Sequence, residues 1–70
     1  MSDYVVIYEQ DDDGGWGAYL PDLPGVVALG TSRSEVSERI QEALSAFADD
    51  LRARGEILPP PHHVAGTVAA

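Results

Sequence analysis

The chain has no cysteine and no lysine among its 70 residues. Without cysteine, no disulfide can staple a small core and no thiolate can hold a metal or act as a nucleophile. A chain this short buries only about 60% of the surface its unfolded form exposes, so its core is thin. With disulfides and thiolate metal sites excluded, association with further copies is the remaining common source of buried area, and a homo-oligomer is expected. The lack of cysteine is compatible with a reducing compartment. Positive charge is equally scarce: four arginines stand against twelve acidic residues, for a formal net charge of −8. Such a surface lacks the basic patch that replaces counterions on phosphates, so nucleic-acid binding is not expected. Any macromolecular partner should be basic. No apolar run approaches the length of a membrane span, and MSDYVV is not a basic region leading into an apolar core, so a cytoplasmic protein is expected. No internal repeat or second composition divides the chain, and residues 1–70 read as one domain.

What is present organises itself around Asp11 to Gly30, DDDGGWGAYLPDLPGVVALG. Before it, Tyr4 to Glu9 is β-branched and aromatic and reads as a strand. Asp13-Gly14-Gly15 breaks that run with the chemistry of a type I′ hairpin, in which glycine supplies positive φ. Trp16 to Leu20 is a second strand, and Pro21 ends it because proline cannot donate to a ladder. Leu23-Pro24-Gly25-Val26 fits a type II turn, with Asp22 free to hydrogen-bond the corner backbone. Val26 to Gly30 is the third strand of an antiparallel meander. A capping box at Ser32 and Glu35 then opens a helix over about 33–54. Its apolar stripe is Val36, Ile40, Ala43, Leu44, Phe47, Ala48 and Leu51, and Gly55 suits its C-terminal cap. Pro59-Pro60-Pro61 is a stiff spacer, and a short strand is expected at 64–68, with Gly66 weakening it. The fold class is α+β: a three-stranded meander, one long helix packed on it and a short final strand.

Strand side chains alternate between two faces. With the helix on one face, the inward set is Val5, Ile7, Trp16, Ala18, Leu20, Val26 and Ala28. The other face then carries Tyr4, Val6, Tyr8, Tyr19, Val27 and Leu29, with Gly17 between them. That set is too apolar and aromatic for a solvated sheet face. These six residues are the candidate partner or oligomer interface.

Candidate chemistry is sparse. The run Asp11-Asp12-Asp13 lacks the spacing and distant glutamate of a calcium loop and reads as a solvated turn. His62 and His63 are adjacent on an extended segment, so their side chains point apart and read as a solvated pair. No serine sits on a nucleophile elbow, and only Glu9 offers a strand carboxylate. No catalytic, metal or cofactor residue is assigned, and no enzyme is expected.

Read together, Gly15-Trp16, Ala18, Leu20, Pro21-Asp22-Leu23-Pro24-Gly25 and Gly30 resemble the HicB-like antitoxin family, in which an acidic glycine-containing turn and an aromatic precede a PDLPGC-like corner. Here Val26 stands at the position that is commonly cysteine, and Thr31-Ser32 with Glu35 matches the helix start. The resemblance covers about Tyr4 to Pro61. It implies a β-β-β-α-β domain like a pared-down RNase H fold without that fold's catalytic carboxylates. It also implies structural roles for Gly15, Trp16, Pro21, Asp22, Leu23, Pro24, Gly25 and Gly30. The function it implies is that of a prokaryotic antitoxin. Such a protein binds and blocks a basic HicA-type toxin that cleaves mRNA, and it forms dimers or higher oligomers such as tetramers. Many members add a C-terminal helix-turn-helix or ribbon-helix-helix domain. The seventy residues leave no room for one, so direct DNA binding is not expected. The alternative reading is an orphan homo-oligomeric interaction module.

Overall fold

The computed structural model describes residues 3–70. Strands β1 (Ile7–Gln10), β2 (Trp16–Leu20) and β3 (Leu23–Gly30) form one antiparallel sheet in the order β1-β2-β3, and helix α1 (Arg33–Ala53) follows. The meander and the single long helix are those expected from the sequence.

The first connection differs from a type I′ turn in its backbone. Gly14 N–H donates to the Asp11 carbonyl at 3.0 Å, and Asp11 N–H donates to the Gly15 carbonyl at 2.7 Å. Within this loop only Gly14 has positive φ, at +92°, whereas a type I′ turn needs two such residues. The loop is a β-turn closed by a glycine bulge, and Asp13 Oδ1 supports it by accepting from Gly15 N–H at 3.0 Å. This loop sets the register, from Gln10 opposite Trp16 to Ile7 opposite Tyr19.

The second connection corrects the expected Leu23–Val26 turn. The chain reverses at Pro21-Asp22, Leu23 already pairs with Leu20, and Gly25 does not have positive φ. Tyr19 pairs with Val27, while the next residue of β2, Leu20, pairs with Leu23. Pro24, Gly25 and Val26 therefore stand opposite no residue of β2 and form an irregularity in β3. A proline is tolerated there because no ladder hydrogen bond is required of it.

The core is Ala18, Leu20, Leu23, Val26 and Ala28 from the sheet against Val36 and Ile40 from the helix, with Phe47, Leu44 and Leu58 packed around them. The inward assignments of Trp16, Ala18, Leu20, Val26 and Ala28 hold. Those of β1 and its approach do not. Cross-strand partners share a face, so Tyr8, opposite Ala18, points to the helix, and Ile7, opposite Tyr19, points away. Tyr4, Val6 and Tyr8 pack against the core, and the Arg33 guanidinium stands 4.8 Å from the Tyr8 ring centroid. A run that is apolar at every position carries no alternation to fix its phase, and the hairpin register decides it.

Helix α1 starts at Ser32, whose Oγ accepts from Glu35 N–H at 3.1 Å. Glu35 Oε1 reaches back to Thr31 N–H at 2.8 Å, one residue earlier than in a standard capping box. The helix ends in a Schellman motif. Gly55 has φ +76°, its N–H donates to the Arg52 carbonyl at 3.0 Å, and Glu56 N–H donates to the Leu51 carbonyl at 2.9 Å. No strand follows α1 among the described residues. The strand expected at 64–68 is not formed: these residues pair with no strand, and Val64 and Val68 are 96% and 93% exposed.

The tightest junction lies at Gly30, where β3 hands over to the helix. A Cβ built there would stand 2.6 Å from Glu35 Oε1 and 2.9 Å from Val36 Cγ2. At Gly25 a Cβ would meet nothing within 4 Å. Gly30→Ala should therefore destabilise the fold by about 1–3 kcal/mol. At roughly 4–8 °C per kcal/mol, thermal melts should show the loss clearly. Gly25→Ala should melt within a degree or two of the parent. Equal melting of the two variants would remove the steric account of Gly30.

Candidate interaction surface and tail anchor

Two arrangements stand out: the sheet face turned away from the helix, and a carboxylate at the β2–β3 corner. On the outer face Tyr19, Val27 and Leu29 are 40%, 60% and 73% exposed. They line a shallow trough of about 400 Å³ with Gly17, and Glu9 and Asp11 form its acidic side. Gly17 keeps the trough open, since a Cβ there would stand 3.3 Å from Leu29 Cδ2. No basic residue lines this trough.

Of the six residues expected at an interface, the structure brings together Tyr19, Val27 and Leu29. Tyr4, Val6 and Tyr8 lie on the other side of the sheet, along a groove of about 370 Å³ between the β1 segment and α1. Ile7 replaces them on the outer face, opposite Tyr19. The aromatic and apolar character of β1 was legible, but its phase was not.

The corner residue Asp22 does something the sequence did not disclose. Its side chain is only 4% exposed. Oδ1 lies 2.7 Å from His63 Nδ1, and Oδ2 accepts from His63 N–H at 3.3 Å. Burial pushes the Asp22 carboxyl up, but hydrogen bonds from the His63 ring and from the backbone N–H groups of His62 and His63 outweigh it. The His63 charge adds to them, and the carboxyl lies below the usual aspartate value. His63 is therefore not a free solvated side chain: it fixes the tail to the corner. The Tyr4 hydroxyl donates to the Pro59 carbonyl and holds the same segment one step earlier. A pairing across 41 residues leaves no local signal.

The remaining motif residues have local work. Gly15 closes the hairpin and Trp16 packs on the core. Pro21 turns the chain, Leu23 is buried in the core, and Pro24 with Gly25 forms the irregularity of β3. Gly30 admits Glu35 and Val36. Among the described residues no three of His, Asp and Glu converge where a metal ion could sit. No helix of the described residues is long and apolar enough to cross a membrane.

Fold and surface together define a small α+β domain whose distinctive feature is an uncovered apolar sheet face with an acidic rim. The family described as HicB-like antitoxin of bacterial toxin-antitoxin system matches residues 4–70, and the chain belongs to that family. It is similar to a UPF0150 protein of Thermoplasma acidophilum, 34% identical over 56 residues that cover 80% of this chain and 81% of the relative. A UPF0150 protein of Synechocystis is 32% identical over 56 residues, covering 80% of this chain and 71% of the relative. A third, from Archaeoglobus fulgidus, is 30% identical over 46 residues, covering 66% of this chain and 67% of the relative. No solved structure matches the chain. Membership in the family suggests a toxin–antitoxin role, and with it a toxin partner and no catalysis.

The Asp22 anchor makes a pH prediction. A carboxyl held below its ordinary value stabilises the fold above that value, and the contribution is lost as pH falls through the folded value. Asp22→Asn should melt lower than the parent at neutral pH. Below about pH 4 the gap should narrow as the parent's own carboxyl protonates. Melting curves followed by circular dichroism across this range check it, and a gap that does not change with pH would rule out an ionised Asp22 as the anchor.

Proposed function

We propose that this protein is an antitoxin that binds a HicA-type, mRNA-cleaving toxin and neutralises it by occlusion, without catalysis. In this reading residues 1–70 act as a single HicB-like domain related to a pared-down RNase H fold. It works in the prokaryotic cytoplasm as a homo-oligomer, a dimer or tetramer, without contacting nucleic acid itself. The observation that carries the reading is the outer trough, in which Tyr19, Val27 and Leu29 present an apolar floor and Glu9 and Asp11 an acidic margin. A ribonuclease surface that holds RNA is basic. An acidic rim steers such a partner into contact, and a desolvated aromatic at the centre supplies much of the affinity. The net charge of −8 extends the same complementarity over the whole molecule.

The alternative, an orphan homo-oligomeric module without a toxin, uses the same uncovered face for a further copy of the chain. Co-expression with the neighbouring open reading frame separates the two. The antitoxin reading expects the neighbour alone to arrest growth, this protein to relieve the arrest and the two to co-purify. A harmless neighbour, or an arrest that this protein does not relieve, rejects it. Within the complex, Tyr19→Asp should weaken toxin binding by roughly tenfold or more. Its melting temperature should stay near that of the parent, because Tyr19 is solvent-exposed. Undiminished affinity, measured by calorimetry, would move the toxin contact off this face.

A further inference from the structure

Strand β3 has a partner on one side only. Arg39 Nη1 donates to the Leu29 carbonyl at 2.7 Å, so that carbonyl points away from β2, toward the free edge. Alternate residues of a strand share this direction, so Val27 also offers its backbone groups to that edge. The strand LPGVVALG contains no charged side chain, and edge strands usually carry one to discourage pairing. Its Gly25 has neither positive φ nor a neighbour within 4 Å where a side chain would go. Gly25 nevertheless lies in the irregularity, so the regular template of the edge is Val27–Gly30.

The tail supplies an uncharged segment that pairs with no strand. Residues 64–70, VAGTVAA, follow the point where His63 is fixed to Asp22, and every residue of this stretch is exposed. Both a bare strand edge and a bare β-branched segment are thus present, and the structure leaves them apart. We propose that residues 64–68 of one copy pair with the free β3 edge of a second copy, reciprocally, and that the Asp22–His63 contact sets the root from which the segment is donated. Charge selects this pairing. In a molecule of net charge −8, β1 contains Glu9 and is flanked by Asp3 and Asp11, so edge-to-edge pairing of two β1 strands sets acid against acid. Edge-to-edge pairing of two β3 strands brings a second Arg39 to the same margin, whereas the tail brings no charged side chain. Fixing its root at His63 lowers the chain entropy lost when the segment pairs. The proposal rests on the oligomer named above and specifies how it forms. It does not depend on a toxin.

The cysteine-free sequence permits a direct test. Two single-cysteine proteins, Val27→Cys and Gly66→Cys, are mixed, allowed to exchange and oxidised mildly. Tail-to-edge pairing places the two positions near enough for a disulfide. The mixed disulfide should dominate over either homodimer, and a double variant should not close on itself within one chain. In parallel, Val64→Asp with Val68→Asp should weaken self-association roughly tenfold or more, read as a mass shift toward monomer by light scattering. Its far-ultraviolet circular dichroism should match that of the parent, because neither side chain belongs to the core of a single copy. A dominant Val27→Cys homodimer would mean that two β3 edges or two outer faces meet, and an intrachain disulfide would mean that the tail covers its own sheet. Either result overturns the proposal while leaving the toxin reading intact. A parent protein that is monomeric by mass overturns both this pairing and the oligomer above it. A dimer unaffected by the tail substitutions overturns this pairing alone.

Discussion

The closeness of Gly30 to the first turn of α1 is the constraint on which the rest of this small fold depends. Because no side chain intervenes, the Glu35 carboxylate caps Thr31 from within the junction and Val36 drops directly onto the sheet. Val36 and Ile40 then join Ala18, Leu20, Leu23, Val26 and Ala28 of the sheet in one buried cluster. The small sheet residues Ala18 and Ala28 are part of the same arrangement, since they let the helix approach. Arg39 turns back to the Leu29 carbonyl and ties the helix to the strand that launched it. Glu35 is in turn held ionised by the Thr31 N–H and by Arg39 nearby, which keep its carboxyl below the usual range.

With the helix seated on one face, the other face is left to a single layer. Neither the helix nor the tail covers it, and residues 64–70 are exposed throughout. The consequence is an apolar floor of Tyr19, Val27 and Leu29 beside two acids. Membership in the HicB-like antitoxin family gives that surface a context, because an antitoxin acts through what it touches. The helix and sheet hold one another through a small core and leave the apolar area of the outer face available for association.

Much of this was legible in the sequence, for identifiable reasons. The meander and helix announced themselves through turn residues, the Ser32–Glu35 capping pair and a stripe at steps of three and four. Local chemistry of that kind survives folding unchanged. Three features were hidden. The phase of β1 could not be read because YVVIY has no polar residue to mark its outer side, and a hairpin several residues away decides it. The corner LPGV looked like a type II turn because proline and glycine stood in the right order. The pairing of Leu20 with Leu23 instead drew those residues into an irregular strand. Asp22 looked like a local turn former, and its partner proved to be His63, which had read as half of a solvated pair. The missed part of the site is long-range throughout, which is where single-sequence reasoning has least purchase.

The irregularity in β3 also bears on how far association can run. An uncharged, open strand edge is ordinarily the start of uncontrolled sheet growth and fibre formation. Here Pro24, Gly25 and Val26 break the ladder over the first half of the strand, and proline lacks the N–H that a stacking strand requires. Only the stretch from Val27 to Gly30 keeps a regular pairing register with β2. An added strand would find a short regular template bounded on one side by the irregularity and on the other by the helix start. The same corner that shapes the core is thereby a stop against aggregation, built into the strand that most needs one.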